Sequence, residues 1–85
     1  MSLQEQFTQA AADSKMLAQK PDNDTLLELY SLYKQATEGD APAESGAGSF
    51  DFVAKFKHEA WSKLHGTAKG AAMQQYIDLV KRLKG

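Results

Sequence analysis

Tyr30-Ser31-Leu32-Tyr33-Lys34-Gln35-Ala36-Thr37-Glu38-Gly39-Asp40 begins as a helix and ends as a turn. Residues four apart share a helical face, so Tyr30 and Lys34 project together. Leu32, Tyr33 and Ala36 extend the apolar side, and Lys34 falls within it. A cation among aromatic and aliphatic neighbours asks for an anionic counterpart.

The surrounding chain sets narrow bounds. Eighty-five residues suit a single domain spanning 1–85, with a core too small for a large internal active site. Helix formers dominate, and the β-branched residues are Val53, Ile77, Val80 and four threonines, which argues for an all-α fold. A net charge of −1 provides no broad field for nucleic acid or anionic lipid, so any anion must meet a local lysine cluster. There is no cysteine, hence neither disulfide nor thiolate chemistry. The N-terminus lacks the basic start and apolar run of a signal peptide, and no apolar run approaches the ~20 residues that span a bilayer. A soluble, cytoplasmic monomer without stable membrane insertion is expected.

Periodicity predicts helices on both sides of the opening stretch. Leu3, Phe7, Ala10, Ala11, Leu17 and Ala18 share an arc of a helix running from Leu3 to about Gln19. Ser14 falls in the middle of that arc, tolerable if its hydroxyl bonds a carbonyl four residues earlier. Lys15 lies at the arc's edge. Pro21 interrupts, Asp22 or Asn23 can cap, and a second helix runs from about Asp24 to Thr37. Its polar side is Glu28, Ser31, Gln35 and Glu38; its apolar side includes Leu26, Leu27, Leu29, Tyr30, Leu32, Tyr33 and Ala36.

Gly39 to Ser49 reads as a turn and surface loop. A third helix, Asp51 to Leu64, is capped by Ser49 or Asp51. It gathers Phe52, Val53, Phe56, Ala60, Trp61 and Leu64 on one side, with Lys57 among them and His58 opposite. Gly66 suits a left-handed C-terminal cap and Thr67 the next N-cap. The fourth helix, Ala68 to about Lys84, carries Ala72, Met73, Tyr76, Ile77, Leu79, Val80 and Leu83. Short first and last connections with one longer crossover describe a four-helix bundle.

Each lysine on an apolar arc has a plain explanation, the stem covering apolar surface while the ammonium stays in water. Lys34 and Lys57, on separate helices and each beside aromatics, instead suit a compact polyanion such as phosphate. Phe52, Phe56 and Trp61 read as core. Tyr30, Tyr33 and Tyr76 each need an exit for a hydroxyl and could stack on a base or donate to phosphate. The combination fits a ligand with a long apolar part and a phosphorylated nucleotide part. Catalysis has little support. His58 and His65 lack the spacing and partners of a metal site, and no P-loop or Gly-x-Gly-x-x-Gly is present. No catalytic residue, metal or cofactor is expected.

Tyr30-x-x-Tyr33-Lys34-Gln35-Ala36-Thr37-x-Gly39-Asp40 resembles the signature of the acyl-CoA-binding protein family. Companion matches include Phe7-x-x-Ala10-Ala11, Lys20-Pro21, Asp51-Phe52, Lys57-x-x-x-Trp61-x-x-Leu64-x-Gly66-Thr67 and Ala72-Met73-x-x-Tyr76-Ile77-x-x-Val80. The resemblance implies an up-down-down-up four-helix bundle that binds medium- and long-chain acyl-CoA without catalysis, forming and transporting an acyl-CoA pool. It further implies that Tyr30, Lys34 and Lys57 hold the ribose 3′-phosphate and that Tyr33 serves the adenine. Lys15 and Tyr76 would complete the nucleotide pocket, with Leu26, Leu27 and Phe56 near the acyl chain. Transient contact with acyl-CoA-using enzymes follows from such a role.

The chain departs from the family pattern in places. Ser14 replaces an aliphatic residue, weakening expected packing against Tyr76, Val80 and Leu83. The 41–50 loop lacks the common Arg-Pro-Gly and is one residue longer. His58 stands for a common tryptophan, and Gly70 for an acidic residue. The competing reading is a helical protein-interaction module using the tyrosine-rich surface; a thioesterase-like enzyme ranks third.

Overall fold

The computed structural model describes residues 1–43 and 52–85. Four helices, α1 (Leu3–Ser14), α2 (Asn23–Glu38), α3 (Phe52–Ser62) and α4 (Lys69–Lys84), carry the fold, and no strand occurs among the described residues. The caps expected at Ser49 or Asp51, and the loop from 44 to 51, lie outside the described residues.

Local chemistry sets the helix ends. Ser2 and Glu5 form a reciprocal capping box, the Glu5 amide donating to Ser2 Oγ at 3.1 Å and the Ser2 amide to Glu5 Oε1 at 3.2 Å. α1 stops at Ser14, short of the expected Gln19. Ser14 Oγ donates to the Ala11 carbonyl at 2.8 Å, three residues back. The Lys15 amide bonds Ala12 and the Met16 amide Asp13, so the last turn tightens to three-residue spacing and the helix ends. Leu17 and Ala18 therefore belong to the connection. α2 starts on Asp22, whose Oδ1 accepts from the Thr25 amide at 2.8 Å. It ends at Gly39 with φ of 81°, a left-handed backbone that a side chain would resist. Gly66, at φ 88°, plays the turning role expected of it after α3. Thr67 does not cap α4: Ala68 occupies that position without a side-chain bond. The Thr67 amide is committed to Leu64 and its carbonyl to Gln35.

Contacts fix the helix directions. Gly70 abuts Leu3, Tyr76 meets Phe7, and Lys84 reaches Asp13, so α1 and α4 run parallel. Thr67 meets Gln35 while Tyr76 meets Tyr33, so α2 and α4 are antiparallel. Lys57 lies over Tyr30 and Trp61 bonds Gly39, so α3 runs with α2. The bundle is up-down-down-up. Its core is formed by Phe7, Ala10, Leu29, Leu32, Ala36, Ala72, Tyr76, Ile77, Leu79 and Val80.

Two expectations about faces are overturned. Ser31 and Gln35, assigned to the solvent side of α2, are buried, Gln35 completely at 0% exposure. α2 packs against α4 and also against α3, so Ser31 and Gln35 of its polar stripe are closed in while Glu28 and Glu38 stay exposed. Ser31 Oγ donates to the Glu28 carbonyl at 3.0 Å. Gln35 Nε2 donates to Asp40 Oδ1 at 2.9 Å and to the Thr67 carbonyl at 2.8 Å, and its Oε1 has no hydrogen-bond partner. Conversely, Phe52 and Phe56, read as core, are 63% and 58% exposed, as is Val53 of the same apolar side at 64%; Trp61 alone of the expected aromatics of α3 is buried.

Asp40 does more than stop a helix. The same Oδ1 accepts from the Gly66 amide at 2.9 Å, tying the end of α2 to the turn before α4. The Gly66 amide, then Gln35, with nearby His65 adding its charge, hold the Asp40 carboxyl below the ordinary aspartate range.

Gln35→Ala should cost about 2–4 kcal/mol in urea unfolding, because a buried cavity and an unpaired Thr67 carbonyl are left together. A lowered carboxyl pKa contributes stability above the unfolded-state value that disappears as pH falls through the folded value. Asp40→Asn should therefore melt below the parent near neutrality, with the gap closing on the acid side of the ordinary aspartate pKa, in melting curves followed by circular dichroism.

Candidate functional site

α2 carries Tyr30 and Lys34 one turn apart, and α3 carries Lys57 and Trp61 at the same spacing. Because the helices run side by side in the same direction, the pairs cross. Lys57 Nζ lies 5.1 Å from the Tyr30 ring centroid, and Lys34 Nζ lies 5.4 Å from that of Trp61. Each ammonium is thus steadied over a ring of the neighbouring helix. Trp61 is itself fixed by its Nε1 donating to the Gly39 carbonyl at 2.8 Å.

On one side of this quartet lies a cleft of about 350 Å³ lined by Ala11, Ser14, Lys15, Leu29, Tyr30, Tyr33 and Tyr76. It unites Lys15, Tyr30, Tyr33 and Tyr76, drawn from α1, α2 and α4. Lys15 reaches its position because α1 ends at Ser14 and leaves it as the C-cap. Tyr33 stacks on Phe7 at 5.5 Å between centroids, yet stays 43% exposed, so ring surface remains open to a ligand. Tyr76 is buried. Its hydroxyl finds the exit that its core position demanded by donating to Ser14 Oγ at 3.1 Å. Ser14 is therefore a polar partner for Tyr76 where an aliphatic residue could offer only packing. Burial raises the Tyr76 pKa, the Ser14 hydrogen bond opposes that shift, and Tyr33 adds to it, so the phenol stays neutral near pH 7.

On the other side, α2 and α3 enclose a groove of about 360 Å³ lined by Asn23, Leu26, Leu27, Val53, Phe56 and Lys57. Its lining is apolar apart from Asn23 and the lysine. Lys57 lines the groove while its ammonium sits at Tyr30, which lines the cleft, so that pair joins the two spaces. A hollow of about 390 Å³ between α1 and α4 holds a lysine but no aromatic ring.

The remaining features are plain. Lys34 bonds Glu38 one turn on, and that hydrogen bond, against some burial, raises its pKa; it is a cation. His58 Nε2 lies 2.6 Å from the Pro42 carbonyl, which it can meet only as a donor, so it holds the start of the loop rather than facing solvent alone. No group of His, Cys, Asp and Glu among the described residues could hold a metal ion, and no described helix is long and apolar enough to cross a membrane.

Of the expected site residues, four share the cleft, and Lys34 and Lys57 stand across its Tyr30 wall. Val53, Asn23 and Leu29 were missed as lining residues. A helical wheel marks the apolar ones only as buried, and nothing in the pattern separates a face covered by protein from one left open.

A family model described as Acyl CoA binding protein matches residues 4–80. The chain is 46% identical over 83 residues to the acyl-CoA-binding protein homolog of Manduca sexta, covering 98% of this chain and 92% of that protein. It is 45% identical over 80 residues to enoyl-CoA delta isomerase 2 of Rattus norvegicus, covering 94% of this chain but 20% of the isomerase. The likeness is therefore confined to a small part of that protein. The crystal structure of Oryza sativa acyl-CoA-binding protein 2 matches with a TM-score of 0.87 at 39% identity, over 96% of this chain and 90% of that one. The fold, the residue pattern and these likenesses agree: the chain belongs to the acyl-CoA-binding protein family.

Proposed function

We propose that this protein binds medium- and long-chain acyl-CoA thioesters, forming and delivering an intracellular acyl-CoA pool without catalysing a reaction. The observation that carries this reading is the Tyr30–Lys57 pair, which sits where a cleft of tyrosines and a lysine adjoins an apolar groove. A ligand that is polyanionic and aromatic at one end and aliphatic at the other is matched by both parts. Tyr30, Lys34 and Lys57 hold the ribose 3′-phosphate, Tyr33 offers its open ring to the adenine, and Lys15 and Tyr76 close the nucleotide pocket. The acyl chain lies along Leu26, Leu27, Val53 and Phe56, which accounts for the exposure of Val53 and Phe56 on an otherwise well-packed small domain.

Affinity follows from both ends. Each methylene shielded contributes about 0.8 kcal/mol, or roughly fourfold, until the groove is filled. The ammonium groups and open ring distinguish CoA from a bare fatty acid, since a carboxylate brings neither the charge of a phosphate nor an adenine to stack. The free ligand exposes its tail to water and would otherwise partition into membranes, so shielding it is itself useful to acyl-CoA-using enzymes that meet the complex transiently.

Calorimetry with palmitoyl-CoA, palmitate and CoA checks this: palmitoyl-CoA should bind far more tightly than either fragment, and equal affinity for palmitate would overturn the reading. A chain that ignored all of them but captured helical partners would support the interaction-module alternative. Lys34→Ala and Lys57→Ala should each weaken palmitoyl-CoA binding by about tenfold or more, with little change in melting temperature. Lys63→Ala, on the exposed end of α3's turn, should leave binding close to wild type.

A further inference from the structure

Glu38 is the acidic neighbour of a lysine assigned to phosphate. Its Oε2 accepts a hydrogen bond from Lys34 Nζ, and both side chains are partly open to solvent, 53% for Glu38 and 31% for Lys34. Among the described residues, Lys57 and Lys15 have no carboxylate within ion-pair distance. The lysines around the site are therefore not equivalent: one carries a built-in counter-anion.

Helix stability does not account for that acid. Glu38 is the last residue of α2, where the carbonyl ends make negative charge unfavourable. The pair also runs lysine first and glutamate second, the weaker of the two orientations at a spacing of four. An uncharged residue would serve the helix better at this position. The acid instead points at the ammonium that the quartet holds over Trp61.

We propose that Glu38 sets the strength and selectivity of the headgroup site by competing with the ligand's 3′-phosphate for Lys34. This rests on the acyl-CoA reading above. Phosphate and carboxylate cannot both take the best hydrogen-bonding position on one ammonium, and they repel each other if they share it. Ligand binding has to displace the glutamate, so affinity is held below what two free lysines would give. The restraint acts only through the 3′-phosphate, and it favours release of the cargo over its retention. Glu38 makes no bond to the ligand in this scheme; it acts through Lys34 as a specificity-determining residue.

The test compares wild type and Glu38→Gln by calorimetry with palmitoyl-CoA and with palmitoyl-3′-dephospho-CoA. An exposed pair of this kind predicts about two- to fivefold tighter binding of palmitoyl-CoA by the variant, fading as salt rises, and no gain with the dephospho ligand. The gain should vanish when Glu38→Gln is made in a Lys34→Ala background, because the competition then has no object. The melting temperature of Glu38→Gln should be equal to or above wild type, as the helix end no longer carries a negative charge. Unchanged or weaker palmitoyl-CoA binding, an equal gain with both ligands, or a gain that survives without Lys34 would each overturn the inference while leaving the acyl-CoA reading intact. Wild-type protein indifferent to palmitoyl-CoA would overturn both.

Discussion

The carboxamide of Gln35 ties the end of α2 to the turn before α4. From full burial it donates to Asp40 just beyond α2 and to Thr67 just before α4, while Asp40 also takes the Gly66 amide. A buried polar group is costly without partners and strongly directional with them. Three hydrogen bonds therefore specify where the end of α2 meets the turn between α3 and α4. Trp61 adds a fourth at the Gly39 carbonyl. Once that junction is set, the facing of α2 and α3 follows, and with it the crossing of Tyr30 and Lys34 with Lys57 and Trp61.

The site is a consequence of how unevenly the bundle is packed. α4 is covered by both α1 and α2 and supplies five buried residues. α3 packs on α2 and buries Trp61, leaving Phe52, Val53 and Phe56 outward. In a small domain the apolar area that can be covered by protein is limited, and three large exposed side chains on one helix represent surface that a ligand can still shield. The same helix presents Lys57 at the junction with the polar cleft, so the apolar groove and that cleft meet at one residue.

Polar residues placed inside this framework show how a departure from pattern can be accommodated. Ser14 closes the last turn of α1 with its hydroxyl on the Ala11 carbonyl, and its oxygen receives the Tyr76 hydroxyl. The shortened helix leaves Lys15 at the cleft. A packing defect by hydrophobic count is thus also a satisfied hydrogen bond and a positioned cation. His58, where a larger aromatic residue would suit the family pattern, is occupied with the Pro42 carbonyl.

Much of the fold was legible in the chain. Leucine, alanine and aromatic residues at helical spacing marked all four helices, and Asp22, Gly39 and Gly66 marked their ends through properties of single residues. The motif Tyr30 to Asp40 pointed to the family, and its lysine on an apolar arc pointed to an anion. These signals are local, and local propensity survives folding. What the chain alone did not disclose was which faces meet. Gln35 and Ser31 looked solvated because a wheel assumes one buried side, whereas α2 is enclosed from two. Phe52 and Phe56 looked like core because hydrophobicity records a need for cover without saying what supplies it. Local chemistry encodes the four helices and the family signature, whereas which side chains are enclosed and which lysine is paired emerge only from packing, because burial and pairing depend on residues far apart in the chain.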